Sequence, residues 1–140
     1  MTRHDLTWIP RLLGAVTAGY SVAITVKPEL FLRPTKLIGE GEQPTTGQRA
    51  LTMAIGGRDL VSGLAMLLAP GGTPLRTAVA VRVGADLADL AVLGSQLPDQ
   101  DAREKATMVA AGWGALCALS LPAADLPRKG LRRGAARPGR

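Results

Sequence analysis

Aromatic side chains are nearly absent from this chain. Of 140 residues only Trp8, Tyr20, Phe31 and Trp113 carry a ring. Aromatic residues supply much of the bulk in most cores and interfaces, so packing here falls to aliphatic and small side chains. Histidine occurs once, as His4 in the polar start, and cysteine once, as Cys117. No internal disulfide can form. No ligand set for zinc, iron or copper is present, and neither a metal nor an organic cofactor is expected. Cys117 reads as a small packing residue, because no helical window holds a histidine to activate its thiol. No phosphate-binding loop occurs: Gly56-Gly57 and Gly71-Gly72 lack the surrounding pattern. A Gly-x-Ser-x-Gly nucleophile motif is also missing.

The most telling absence lies between Ala50 and Leu97, which hold neither Lys nor Glu. Soluble helices cover their wet face with those two residues. This stretch instead carries Arg58, Asp59, Arg82, Asp86 and Asp89. Arg82, Asp86 and Asp89 follow i, i+4, i+7 spacing and so form one stripe on a helix. Leu93 and Gln96 continue it. The rest of that helix is aliphatic, with Val81, Val83, Ala85, Leu87, Ala88, Leu90, Ala91 and Val92. This is the pattern of a membrane helix whose charged face looks into a bundle.

Four apolar windows appear, at about Trp8–Val26, Ala50–Ala69, Pro74–Leu97 and Ala106–Ala124. Each approaches the roughly 20 residues a helix needs to cross a bilayer core. Mean hydropathy is only +0.15, held down by a polar first loop, a basic tail and the charged middle helices. Small residues at i, i+4 spacing, such as Ala15/Gly19, Ala110/Gly114 and Gly114/Ala118, offer close helix approach. The spacing therefore predicts an all-α fold: a four-helix transmembrane bundle with short connections and one longer loop after the first helix. Residues 1–126 form the membrane domain. The first window continues to Val26 without a small-residue cleavage site and reads as a retained helix.

Within the loop Lys27–Gly47, Glu29–Leu32 is expected to form an interfacial turn with Phe31 and Leu32 dipping toward lipid. Thr45 or Thr46 caps the second helix. Asp101, with Glu104 three residues on, has capping-box spacing for the fourth. Pro70-Gly71-Gly72 gives a tight stop between the second helix and the third.

Net charge is +6 and the pI about 10.4. Much of that excess sits in Arg128, Lys129, Arg132, Arg133, Arg137 and Arg140, with no acid among them. No aromatic residue interleaves, which argues against nucleic acid. The run reads as a disordered cytoplasmic tail, residues 127–140, facing anionic lipid headgroups. Four spans then place both termini in the cytoplasm.

An Asp or Arg at a helix centre costs about 2.5–3.5 kcal/mol, so the third helix needs partners. Arg82 can reach Asp86 within its own helix. Arg58 and Asp59 lie about 100° apart, so only one is expected to face the third helix. Two carboxylates near an arginine make an acid–base set. Asp86, Asp89 and Asp59 are the candidate catalytic residues. Arg58, Arg82, Tyr20 and Trp113 are the candidate substrate-binding residues, with Thr52 and Ser62 as companions. The rival reading is a buried ion network that only fixes helix register.

The segment Gly56-Gly57-Arg58-Asp59-Leu60-Val61-Ser62-Gly63, followed by Ala85-Asp86-Leu87-Ala88-Asp89, resembles an uncharacterised family of small four-helix integral membrane proteins of actinobacteria and fungi. The resemblance covers about residues 8–124. It implies Arg-Asp on helix two, acids on helix three, and a place in a bacterial plasma membrane. Some such proteins accompany natural-product biosynthesis, which implies an enzyme that opens an epoxide, cyclises or isomerises a lipophilic small molecule. The alternative is a non-enzymatic membrane protein, either a small transporter or an accessory subunit. A soluble helical bundle is a third, and homo-oligomerisation stays open.

Overall fold

Proline and glycine set the joints between helices. In the computed structural model, which describes residues 5–125, α1 spans Trp8–Val26 and a short α2 spans Glu29–Leu32. Three long helices follow: α3 (Thr46–Leu68), α4 (Thr73–Gln96) and α5 (Gln100–Leu119), then a 3-10 turn at Leu121–Ala124. The fold is all-helical, with no strand among the described residues. The proposed tail, residues 127–140, lies outside them.

Thr45 starts α3 with a capping box. Its hydroxyl accepts from the Gln48 amide at 3.3 Å, and the Gln48 carboxamide oxygen accepts from the Thr45 amide at 2.8 Å. α3 therefore begins four residues before the apolar window, because capping rather than hydropathy sets the start. α5 likewise begins earlier than its window. Its cap is Asp99, which accepts from the Ala102 amide at 2.9 Å. The expected cap, Asp101, lies inside the first turn. Pro74 occupies the first turn of α4, where a missing N–H costs nothing.

α1 packs chiefly on α3, and α4 chiefly on α5; α3 and α4 meet more thinly. At one end Arg11 donates to the Leu67 and Ala69 carbonyls at 2.6 and 2.8 Å, satisfying the last turn of α3. The Gly72 amide donates to Ala124 O at 2.7 Å, so the 3-10 turn lies at this same end. Met66, Leu75, Val79, Cys117 and Ala124 form the apolar core there.

The opposite end is built differently. Phe31 and Leu32 turn inward, packing with Ile24 and Ile38. The expectation that they dip toward lipid is corrected: helix α2 is a single turn, and its apolar side has a wall to rest on. Gln48 ties this segment down by donating to Leu37 O at 2.8 Å, and Lys36 pairs with Asp99 at 2.9 Å.

The α1–α3 seam uses Gly14, Ala18 and Gly63. A Cβ on Gly63 would stand 2.7 Å from Gly14 O and 2.8 Å from Ala18 N. The expected Ala15/Gly19 pair is not the contact, since Gly19 has open space beside it. Ala110 and Gly114 do face inward, with Asp86 against Gly114.

Two helices, α1 and α3, are long and apolar enough to cross a membrane, with mean hydropathy 1.3 and 1.4. α4 and α5 fall short of the four spans expected. α4 carries Arg76, Arg82, Asp86 and Asp89, and the first six residues of α5 are mostly polar. Their outward faces are nonetheless apolar: Val81, Leu87 and Val92 on α4, and Met108, Val109, Leu116 and Leu119 on α5 are exposed.

Candidate functional site

Arg58, Asp59, Arg82, Asp86 and Asp89 form one continuous ion network between α3 and α4. Arg82 donates from Nε and Nη2 to both oxygens of Asp86, one turn along α4. Its Nη1 lies 2.7 Å from Asp59 Oδ1 and donates to Ser62 Oγ at 3.4 Å. Arg58 donates from Nη1 and Nη2 to the two oxygens of Asp89 at 2.7 and 2.6 Å, and from Nε to Asp59 Oδ1 at 2.9 Å. Bidentate pairs of this kind are the strongest and most directional available to a guanidinium.

Asp59, Arg82 and Asp86 are 8%, 2% and 4% exposed, and Arg58 and Asp89 are half-buried. No buried side-chain nitrogen or oxygen among the described residues lacks a hydrogen-bond partner. The expectation that only one of Arg58 and Asp59 could face the third helix is corrected. Asp59 points directly at α4, and the long Arg58 side chain bends back from the neighbouring face to reach both Asp59 and Asp89.

Beside this network lies a cavity of about 380 Å³. Asp59, Arg82, Asp86 and Asp89 form its polar wall; Arg58 stands behind them and does not line it. The remaining wall is almost wholly apolar. Val16 and Tyr20 come from α1, Ile55 from α3, Leu93 from α4, and Val109, Ala110 and Trp113 from α5. Leu30, Phe31, Pro34 and Thr35 cover it as a lid. The Trp113 indole is held in place by donating from Nε1 to Thr17 Oγ1 at 3.1 Å, across from α5 to α1. Thr17 returns its own hydroxyl proton to Leu13 O at 2.9 Å, so it accepts from Trp113 without an unmet donor.

The lid is fastened outside the cavity. Lys36 takes a left-handed φ of 53° and sets its ammonium 2.9 Å from Asp99 Oδ1 and 3.7 Å from Asp101 Oδ2. The Asp99 carboxylate holds the Lys36 ammonium above the usual lysine range. Lys36 in turn, aided by the Ala102 amide, holds Asp99 below the usual carboxylate range.

The structure therefore gathers Asp59, Asp86, Asp89, Arg82, Tyr20 and Trp113 around one space, with Arg58 one layer back. Ser62 joins the network, but Thr52 does not. Its hydroxyl donates to Gln48 O at 2.9 Å within α3, away from the cavity. Sequence reasoning missed Phe31, Thr17 and the exposed Lys105 at the cavity's edge. The scarcity of rings held a clue to Phe31: three of the chain's four aromatic residues line this one cavity. The described residues hold no group of three His, Cys, Asp or Glu arranged for a metal ion.

Comparisons with known proteins add no neighbour. No family model, no curated protein and no solved structure matches the chain.

Proposed function

We propose that this chain is a four-helix integral membrane protein whose cavity takes a lipophilic small molecule from the bilayer and presents it to the Asp/Arg network. The observation that carries this reading is the cavity itself: an apolar space of about 380 Å³ with one charged wall. Ligand sites are typically apolar enclosures with a few polar groups placed to orient the guest.

The membrane placement rests on an inverted surface. The charges of the network are buried or half-buried, while all four long helices expose apolar side chains, such as Leu12 on α1, Val61 on α3, Leu87 on α4 and Val109 on α5. Lipid rewards that arrangement and water penalises it. The end carrying Arg11 and Arg76 then faces the cytoplasm with both termini.

The chemistry supported is acid–base catalysis. Three carboxylates share two guanidiniums, so the network can carry one proton without losing its pairs. Isomerisation needs no more than this. A carboxylate takes a proton from one carbon and returns it to another, and no co-reactant is consumed. Epoxide opening and cyclisation would need the carboxyl to donate first. One observation favours the non-enzymatic alternative, a transporter or accessory subunit: every carboxylate is already engaged by an arginine.

The test uses the two tryptophans. In nanodiscs, 1-bromohexane should quench Trp113 in a Trp8→Phe protein along a saturable curve. Trp8, exposed at the start of α1, should show only linear, partition-driven quenching in a Trp113→Phe protein. Equal linear quenching of both would overturn the proposal. Membrane placement is checked separately by cysteine labelling in a Cys117→Ala background. Glu40→Cys and Gln100→Cys should react from one face and Thr73→Cys from the other.

A further inference from the structure

With all three carboxylates ionised, the network holds one more negative charge than positive. Asp59, Asp86 and Asp89 bring three negative charges; Arg58 and Arg82 bring two positive ones. Each arginine reaches two carboxylates. All three carboxylates line the cavity. In an apolar surround one uncompensated charge is costly, and either a proton or a cationic guest arriving in the cavity removes that cost.

The cavity is also furnished for such a guest. Tyr20, Phe31 and Trp113 come from α1, α2 and α5, so rings approach from separate elements rather than from one helix face. Aromatic faces attract cations, most strongly where water is excluded. Rings combined with carboxylates suit an ammonium head, and the aliphatic remainder suits its hydrocarbon body. An anionic head would meet three carboxylates, and the two guanidiniums are already paired with them. The one cation at the cavity outside the network is Lys105, which is exposed at the edge and pairs with no acid among the described residues.

We infer that the ligand of this cavity is a lipophilic cation, an alkyl or aryl ammonium whose head lies against Asp59, Asp86 and Asp89 and whose body fills the space between Tyr20, Phe31 and Trp113. This rests on the cavity being a lipophilic site, and it holds for either use of that site.

Three probes with one tail test it: hexyltrimethylammonium, 1-hexanol and hexanesulfonate. The Trp8→Phe protein in nanodiscs reports through Trp113 emission. The ammonium should give a saturable change at concentrations about tenfold below those needed for hexanol, a single charge contact's worth of affinity. Asp89→Asn removes the surplus while leaving two balanced charges of each sign, so the fold should survive. It should bring the ammonium curve back to that of hexanol. Tyr20→Leu, a second variant on another helix, should weaken the ammonium and spare the alcohol.

Equal binding of ammonium and hexanol would end the cation proposal and leave the lipophilic site standing. No saturable response to any probe would end both. Tight binding of hexanesulfonate, lost in Lys105→Ala, would assign the head to Lys105 and overturn the proposal.

Discussion

Helix α3 is held on one side by glycine and on the other by charge. Toward α1 it presents Gly56 and Gly63, and the backbones approach until no Cβ fits: one on Gly56 would lie 2.5 Å from Thr25 Oγ1. Toward α4 it presents Arg58 and Asp59, and long polar side chains bridge a thinner contact. The first seam depends on shape. The second is directional and leaves room beside it, which is where the cavity lies. A tight seam cannot hold a guest and an ion-bridged one can. On the proposed function, α3 divides the molecule into a scaffold side and a working side.

The largest effect is expected where the ion seam loses its centre. Arg82→Met leaves Asp59 and Asp86 without the guanidinium that joins them. Breaking a buried pair costs about 3–5 kcal/mol. Thermal unfolding in detergent should show a clear loss. Arg82→Met combined with Asp86→Leu should recover most of it, because the surplus of one charge is restored. A single variant that melts like the parent would mean that these groups are solvated and that the α3–α4 seam is not charge-held.

The glycine seam should respond to volume instead. Gly63→Ala pushes a methyl group into Gly14 O and Ala18 N, both backbone atoms that cannot rotate away. A cost of about 1–3 kcal/mol is expected. Gly57→Ala, on the same helix with open space beside it, should instead gain up to about 1 kcal/mol from helix propensity. Opposite signs at two glycines six residues apart would sharpen the contrast between the seams. Equal effects would erase it.

The ion seam was legible in the sequence and the glycine seam was not. Charges in a stretch without Lys or Glu are conspicuous, and i, i+4, i+7 spacing fixes the face of Arg82, Asp86 and Asp89. Glycine is common throughout these helices, so nothing in the chain separates Gly63, which is in contact, from Gly19, which is not. Only the crossing of two helices decides that. The reach of Arg58 was also hidden, because angular spacing locates a Cα and says little about a side chain that can bend back to a neighbouring face. The lid escaped for a similar reason. Phe31 and Leu32 sit in a proline-rich loop without a period to read, and their inward turn depends on Ile24 and Ile38 being there to receive them.

The smallest effect concerns the fastening of that lid. Lys36 and Asp99 both lie in water, where ion pairs contribute little. Their influence should show in access to the cavity more than in melting. Asp99 titrates below its unfolded value, so its contribution is complete above the ordinary carboxylate pKa and lost as pH falls through the depressed one. Lys36 titrates above its unfolded value, so its contribution is complete below the ordinary lysine pKa and lost as pH rises through the raised one. Quenching of Trp113 by 1-bromohexane should therefore be flat between about pH 4 and pH 10 and quicken outside that window. Acid also loosens the Asp99 cap on α5, so Lys36→Met is the cleaner probe. It leaves the cap intact and should give faster quenching throughout that window. If Lys36→Met leaves the quenching rate unchanged, the lid is held by Phe31 and Leu32 against Ile24 and Ile38, and the polar fastening is incidental. In that case the working side of α3 would close by the same apolar packing that builds its scaffold side.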